Sequence, residues 1–169
     1  MTALILILTA TSTALIAGLF YSYSCSVNPG LGKLPDEGYL AAMQSINREI
    51  LNPVFFATFM GTLILLPVST WLQYSAGASK SFLFLLAATL IYAVGVFGVT
   101  MFGNVPLNDA LDKFNLHSAS MEEIKSQRSM FEVPWNKLHN IRTIANIVSL
   151  VLVVIACLYA NYQKQDLVE

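Results

Sequence analysis

Apolar residues gather into four long blocks along this chain, at residues 3–27, 53–74, 82–102 and 138–162, and polar residues collect between them. Each block reaches the roughly 20 residues that a helix needs to cross ~30 Å of hydrocarbon. The pattern predicts an all-α membrane protein built as an up-and-down four-helix transmembrane bundle. Residues 75–81 form a short polar connection, which makes the second and third helices antiparallel neighbours. The other two connections are long, at residues 28–52 and 103–137, and in a serpentine both emerge on the same side. Together they hold most of the charge, so the expectation is a single domain over residues 1–169, capped at one end of the bundle by two long loops.

The first cap segment opens with turn chemistry, Asn28-Pro29-Gly30 followed by Gly32. From Asp36, a candidate N-cap, the spacing of Leu40, Met43, Ile46, Ile50 and Leu51 predicts a helix that ends near Pro53, at the join with the second span. In the second cap segment Ser120 followed by Glu123 has the form of a capping box. Pro106 lacks an N–H and disfavours helix at Val105, so the chain is expected to break there.

Composition agrees with the pattern. The 169 residues are 56% hydrophobic and only 11% charged, where a soluble domain carries about a quarter. A formal net charge of −1, with no basic stripe or zinc-finger spacing, gives no basis for nucleic-acid binding. The first block is read as a retained membrane helix and not a cleaved leader, because no basic residue precedes it and its apolar run is too long. Lys33, Arg48, Lys113, Lys125, Arg128, Lys137 and Arg142 lie on the cap side against Lys80 and Lys164 on the other, so the positive-inside bias points the cap to the cytoplasm. Cys25 and Cys157 fall near opposite membrane faces, about 25 Å apart at a helical rise of ~1.5 Å per residue. They are expected to be unbonded packing residues.

Candidate chemistry sits at the mouth of the fourth block. Trp135, His139, Arg142 and Asn146 recur at i, i+4, i+7 and i+11 and share one helical face. Ionisable groups at a membrane boundary are costly and usually kept for a purpose. His139 could take a proton. Arg142, one turn deeper, presents a fork of donors suited to an oxyanion, with Asn104, Asn108, Asn47, Glu49 or Asp109 as the available acceptors. Trp135, with Tyr21 or Tyr23, could stack on a flat ring. Gln44 and Asn47 share a face of the cap helix, and Asn104 and Asn108 would pair if helical. Each residue also has an ordinary role: Trp135 as an interfacial anchor, Arg142 as a snorkelling side chain, the asparagines as interhelical glue. No metal site is predicted, since the sequence lacks His-x-x-x-His, Glu-x-x-His and a cysteine cluster. Haem on His139 would have no second ligand in the pattern, and Met43, Met101, Met121 and Met130 read as packing residues sooner than as copper ligands, so haem and copper are left open.

Three elements in this order, Met43-Gln44-x-x-Asn47, Asn104-Val105-Pro106-Leu107-Asn108 and Trp135-Asn136-x-x-His139-x-x-Arg142, resemble the anthrone oxygenase-like family of integral membrane proteins over nearly the whole chain. The resemblance implies an enzyme that turns an anthrone into an anthraquinone with dioxygen and without a dedicated cofactor. It carries Asn47, Asn104, Pro106, Asn108, Trp135, His139 and Arg142 over as motif positions. On this reading His139 and Arg142 are catalytic, Asn47, Asn104, Asn108 and Trp135 bind substrate, and the partners are the lipid bilayer and a small hydrophobic aromatic molecule, with a homo-oligomer possible. The competing reading is a non-enzymatic membrane protein or accessory subunit that holds a lipid, quinone or haem. A transporter ranks last, because four spans without an inverted repeat leave little room for alternating access.

Overall fold

The computed structural model describes residues 2–77 and 79–165. They form five helices and no strand: α1 Thr2–Leu31, α2 Asp36–Glu49, α3 Pro53–Ser75, α4 Lys80–Asp112 and α5 Met121–Gln165. All but α2 are long and apolar enough to cross a bilayer, and the chain is a multi-pass membrane protein. The four spans pack as a ring. α1 lies against α3 and α5, and α4 lies against the same two from the opposite corner.

Leu4, Leu15, Ile64, Leu83, Val94, Ile144 and Val154 point outward, where lipid is as good a solvent for them as the core. With no hydrophobic difference between inside and outside, something other than apolar burial must hold the helices together. Small residues and hydroxyls do so here. The hydroxyls of Thr9 and Ser69 lie 2.7 Å apart, as do those of Ser12 and Thr62, joining α1 to α3. Thr70 and Thr89 join α3 to α4 at 3.0 Å. Ser149 on α5 donates to the Ala88 carbonyl of α4 at 3.1 Å, and Ser81 on α4 donates back to that of Ala156 at 3.0 Å. Each hydroxyl satisfies a polar group that hydrocarbon could not.

The expected loops of the cap are largely helix. α5 has 45 residues, which at ~1.5 Å per residue is more than twice the ~30 Å hydrocarbon thickness. α1 and α4 also run on past their apolar blocks. The cap is therefore made of these projecting rods with α2 laid across them, around a cluster of Tyr39, Leu40, Met43, Leu111, Ile124, Phe131 and Trp135. Arg128 on α5 clamps the turn that precedes α2. It donates to the carbonyls of Gly32 and Leu34 and to Asp36, pairs with Glu132, and lies 4.5 Å from the centre of the Tyr39 ring. Burial, with Glu132 beside it, pushes the Tyr39 phenol up against the opposing pull of Arg128, so it stays protonated. Gln44 donates to the carbonyls of Leu111 and Phe114 and closes the end of α4. The Ser120–Glu123 capping box forms as expected. Asp36 does not cap α2; Pro35 holds that position and the Asp36 carboxylate goes to Arg128.

The chain does not break at Pro106. The proline falls in the first turn of Val105–Asp112, directly after π-helical turns at Tyr92–Gly98 and Thr100–Asn104. The wider winding leaves the missing N–H without a ladder position to spoil. It also straightens the inner face of α4. Ala88, Tyr92, Val96, Thr100 and Asn104 are all buried, at steps of four. In a uniform α-helix those sixteen residues would carry Asn104 about 160° away from the face of Ala88, at 3.6 residues per turn. A third π-helical turn, Tyr23–Val27, interrupts α1. Cys25 lies in it, Cys157 is on α5, and both thiols are free.

Three substitutions test this packing. A Cβ on Gly95 would lie 2.7 Å from that of Ala145, which has no side chain to rotate away. Gly95→Ala should therefore cost about 1–3 kcal/mol by overpacking the α4–α5 seam. Gly103→Ala, which meets only the flexible end of Leu138, should cost less. Arg128→Ala should lower the melting temperature by several degrees through loss of its charge-assisted hydrogen bonds, about 2 kcal/mol, with α2 becoming the first element to exchange its amide hydrogens.

Candidate functional site

The polar stripe of α5 faces the bundle interior. Phe131, Trp135 and His139 follow one another at four-residue steps, so their rings stack up the helix: Phe131 to Trp135 at 6.1 Å, and Trp135 to His139 at 5.1 Å with only 9° between the planes. Phe20 and Tyr23 of α1 close the other sides of the imidazole, at 5.9 and 5.8 Å. His139 is 0% exposed and Trp135 3%.

The hydrogen bonds of His139 fix its tautomer. Arg142 aims Nε and Nη2 at His139 Nδ1, at 3.3 and 3.2 Å. A guanidinium can only donate, so Nδ1 is the bare nitrogen and the proton sits on Nε2. Nε2–H then donates to Ser24 Oγ at 3.0 Å. Ser24 passes its own proton to Thr143 Oγ1 at 3.4 Å, and Thr143 donates to the His139 carbonyl at 2.8 Å. Ser24 is in place because Phe20, Tyr23 and Ser24 are spaced i, i+3 and i+4, so α1 turns all three toward the imidazole.

Arg142 is the unusual member. Its guanidinium lies 4.4 Å from the Phe20 ring centre and 5.2 Å from that of Trp135, and its remaining protein acceptor is Thr100 Oγ1 at 3.5 Å. Aromatic faces and a neutral imidazole soften the burial of a cation, but among the described residues no carboxylate pairs with it. The ion pairs present are Arg48–Asp112, Arg128–Asp36 and Arg128–Glu132, all in the cap. Asp109 and Glu49, expected as acceptors, are exposed. Of the five N–H groups of Arg142, two have no protein acceptor within hydrogen-bond range.

Asn104 and Asn108 reach the same group through Trp135. Asn108 Oδ1 accepts from the indole N–H at 2.8 Å, and Asn104 Nδ2 donates to the Trp135 carbonyl at 3.3 Å. Five of the six sequence-predicted residues thus belong to one network of contacts from α4 and α5. Asn47 stands apart: it lies one turn beyond Met43 on α2, and its Nδ2 is buried without a partner. The same holds for Asn104 Oδ1, Asn136 Oδ1 and both amide atoms of Asn146. Sequence reasoning missed Ser24, Thr100, Thr143 and Phe20. Thr143 lies at i+4 from His139 on the same helix, which was a signal; Ser24, Thr100 and Phe20 lie on other helices and carried none.

The site is closed. The groove found elsewhere, about 560 Å³ between α2 and the end of α4, is lined by Gln44, Arg48, Asp112, Lys113 and His117 and lies in the cap. The second histidine, His117, belongs to that groove and not to His139. Among the described residues no group of three or more His, Cys, Asp or Glu side chains could hold a metal ion. Tyr23 and Ser24 of α1, which contact the imidazole, are half-buried.

Nitrogen NMR of histidine-labelled protein should find the His139 proton on Nε2. A signal for a protonated Nδ1 in the resting protein would contradict the arrangement with Arg142.

The family described as anthrone oxygenase matches residues 54–152, which contain α3, α4 and the stripe of α5. Comparisons with curated proteins and with solved structures returned no match.

Proposed function

The chain belongs to the anthrone oxygenase family, and on that premise we propose that it is a membrane oxygenase acting on a lipid-soluble aromatic ketone of the anthrone class. The observation that supports this most is the buried guanidinium of Arg142, which lies between two aromatic faces with spare donors and, among the described residues, no carboxylate. A flat ketone placed there sets its oxygen against Arg142. Loss of a ring C–H proton then moves negative charge onto that oxygen, where a pre-aimed cation lowers the barrier most.

His139 is the base in this reading, and Arg142 controls it. In the resting network the Nδ1 lone pair is covered by Arg142. When the guanidinium turns its donors to the substrate oxygen, Nδ1 is released to take the proton. The carbanion–enolate gives electrons to dioxygen, one and then a second as the C–O bond forms. The resulting peroxide anion takes back the proton from His139. Loss of water across the remaining C–H and the O–O bond leaves the second carbonyl, so anthrone and O₂ yield anthraquinone and H₂O. Trp135, held by Asn108, supplies a flat wall, and Asn104 and Asn47 offer further polar contacts to substituents.

Oxygen uptake and quinone absorbance, measured on purified protein in lipid nanodiscs supplied with an anthrone, test the reaction. Arg142→Ala and His139→Ala should each lower the rate at least about 100-fold, and Arg142→Lys should keep part of it, with all three still folded. A wild-type rate no higher than spontaneous oxidation would defeat the enzymatic reading. The closed packing of His139 and Trp135 favours the second reading in that case, a protein that holds an aromatic molecule without turning it over.

A further inference from the structure

Asn146 is not explained by the network around His139. It lies one turn deeper than Arg142 on the same face of α5, is 0% exposed, and neither Oδ1 nor Nδ2 has a partner. Its direction follows from its neighbours. Arg142 contacts Thr100 of α4 and Phe20 of α1, and Ser149 donates to the Ala88 carbonyl of α4. Asn146, between them, faces the axis of the bundle. The hydroxyls that the other helices bury do not reach it: Thr13 donates to the Thr9 carbonyl, Thr100 to that of Val96, and the Tyr92 hydroxyl to that of Phe59. A primary amide at this depth costs free energy and gives none to the resting fold. An apolar residue of the same size would pack there at no such cost.

We propose that Asn146 is a specificity-determining residue that binds the deep polar edge of the ligand: an oxygen substituent, hydroxyl or carbonyl, on the aromatic ring system whose ketone meets Arg142. The proposal rests on the reading that the stripe holds an aromatic ligand, and adds which ligands it prefers. Arg142 and Asn146 are one helical turn apart, about 5–6 Å along the axis, which matches oxygens on neighbouring rings of one flat molecule. Arg142 only donates. Asn146 both donates and accepts, so it distinguishes a hydroxylated ring from a bare one where the guanidinium cannot. A hydroxylated ligand supplies the partner that the resting amide lacks, and a bare analogue leaves it as it was.

The test uses two anthraquinones, one bare and one hydroxylated on an outer ring at a position not adjacent to a carbonyl, where the O–H is free of an internal hydrogen bond, and reads their binding to wild type and to Asn146→Leu in nanodiscs, together with the melting temperature of each protein. Wild type should bind the hydroxylated quinone at least tenfold more tightly. Asn146→Leu should melt at the same temperature or higher and lose that preference, with the bare quinone bound as before. Asn146→Ala, which adds no bulk, should lose the preference in the same way if the leucine variant fails to fold. A lower melting temperature for both variants with the preference intact would show that Asn146 is structural glue, and would overturn the proposal. So would an intact preference with unchanged melting, the result for an amide that merely holds a water, or a wild type with no preference. Anthrone turnover is read separately: a preference lost with Asn146 in a protein that oxidises no anthrone would uphold this inference and defeat the enzymatic reading. Turnover without any preference would do the reverse.

Discussion

A guanidinium buried among helices at the edge of a bilayer, with no carboxylate among the described residues to neutralise it, is the constraint around which this molecule is arranged. Taking such an ion out of water costs several kcal/mol even after the protein relaxes. Here the compensation comes from weak partners in number. Two aromatic faces, one imidazole nitrogen and one hydroxyl surround Arg142. None removes the charge, so Arg142 keeps its capacity to bind an oxyanion. A carboxylate in the same place would make a more stable resting pair and leave nothing for a ligand. The arrangement fixes the rest of the site: it dictates the tautomer of His139, and through it the roles of Ser24 and Thr143.

The backbone is adapted to the same centre. All three π-helical turns border it, one on α1 carrying Tyr23 and Ser24 and two on α4 leading to Thr100 and Asn104. Such turns are rare and weaken the local ladder, and they recur at functional sites. Each one here changes which side chains meet α5. Without the turns on α4, Thr100 and Asn104 could not share an inner face with Tyr92.

The two ends of the molecule are held by different physics. Within the spans, hydroxyl pairs and close approaches such as Gly95 on Ala145 hold helices that gain nothing from burying apolar surface. In the cap, water is present and the hydrophobic effect returns. Leu40, Met43 and Leu111 are fully buried, and Arg128 and Arg48 make ion pairs. The stripe sits where the two regimes meet. There a flat molecule with an apolar body and polar edges could leave the lipid without entering bulk water.

The sequence alone determined the class, the number of spans and the line of residues on α5, because those follow from block length and from 3.6-residue periodicity, both local properties. It also determined that Trp135, His139 and Arg142 share a face, since one unbroken helix carries them. What it could not determine was anything that depended on a change of winding or on a neighbour from another helix. Pro106 read as a break because local rules do not anticipate a π-helical turn that absorbs it. The spacing of Leu40, Met43 and Ile46 announced α2, but the second cap segment read as loop because a polar extension of a long helix has no apolar block to announce it. Thr143 was legible at i+4 from His139, but Ser24, Thr100 and Phe20 carried no signal, since a serine, a threonine and a phenylalanine in apolar helices are ordinary until a tertiary contact gives them a partner. The lone charge of Arg142 was visible as a residue. That no carboxylate came to meet it, with Asp109 and Glu49 left at the surface, was decided only by how the five helices pack.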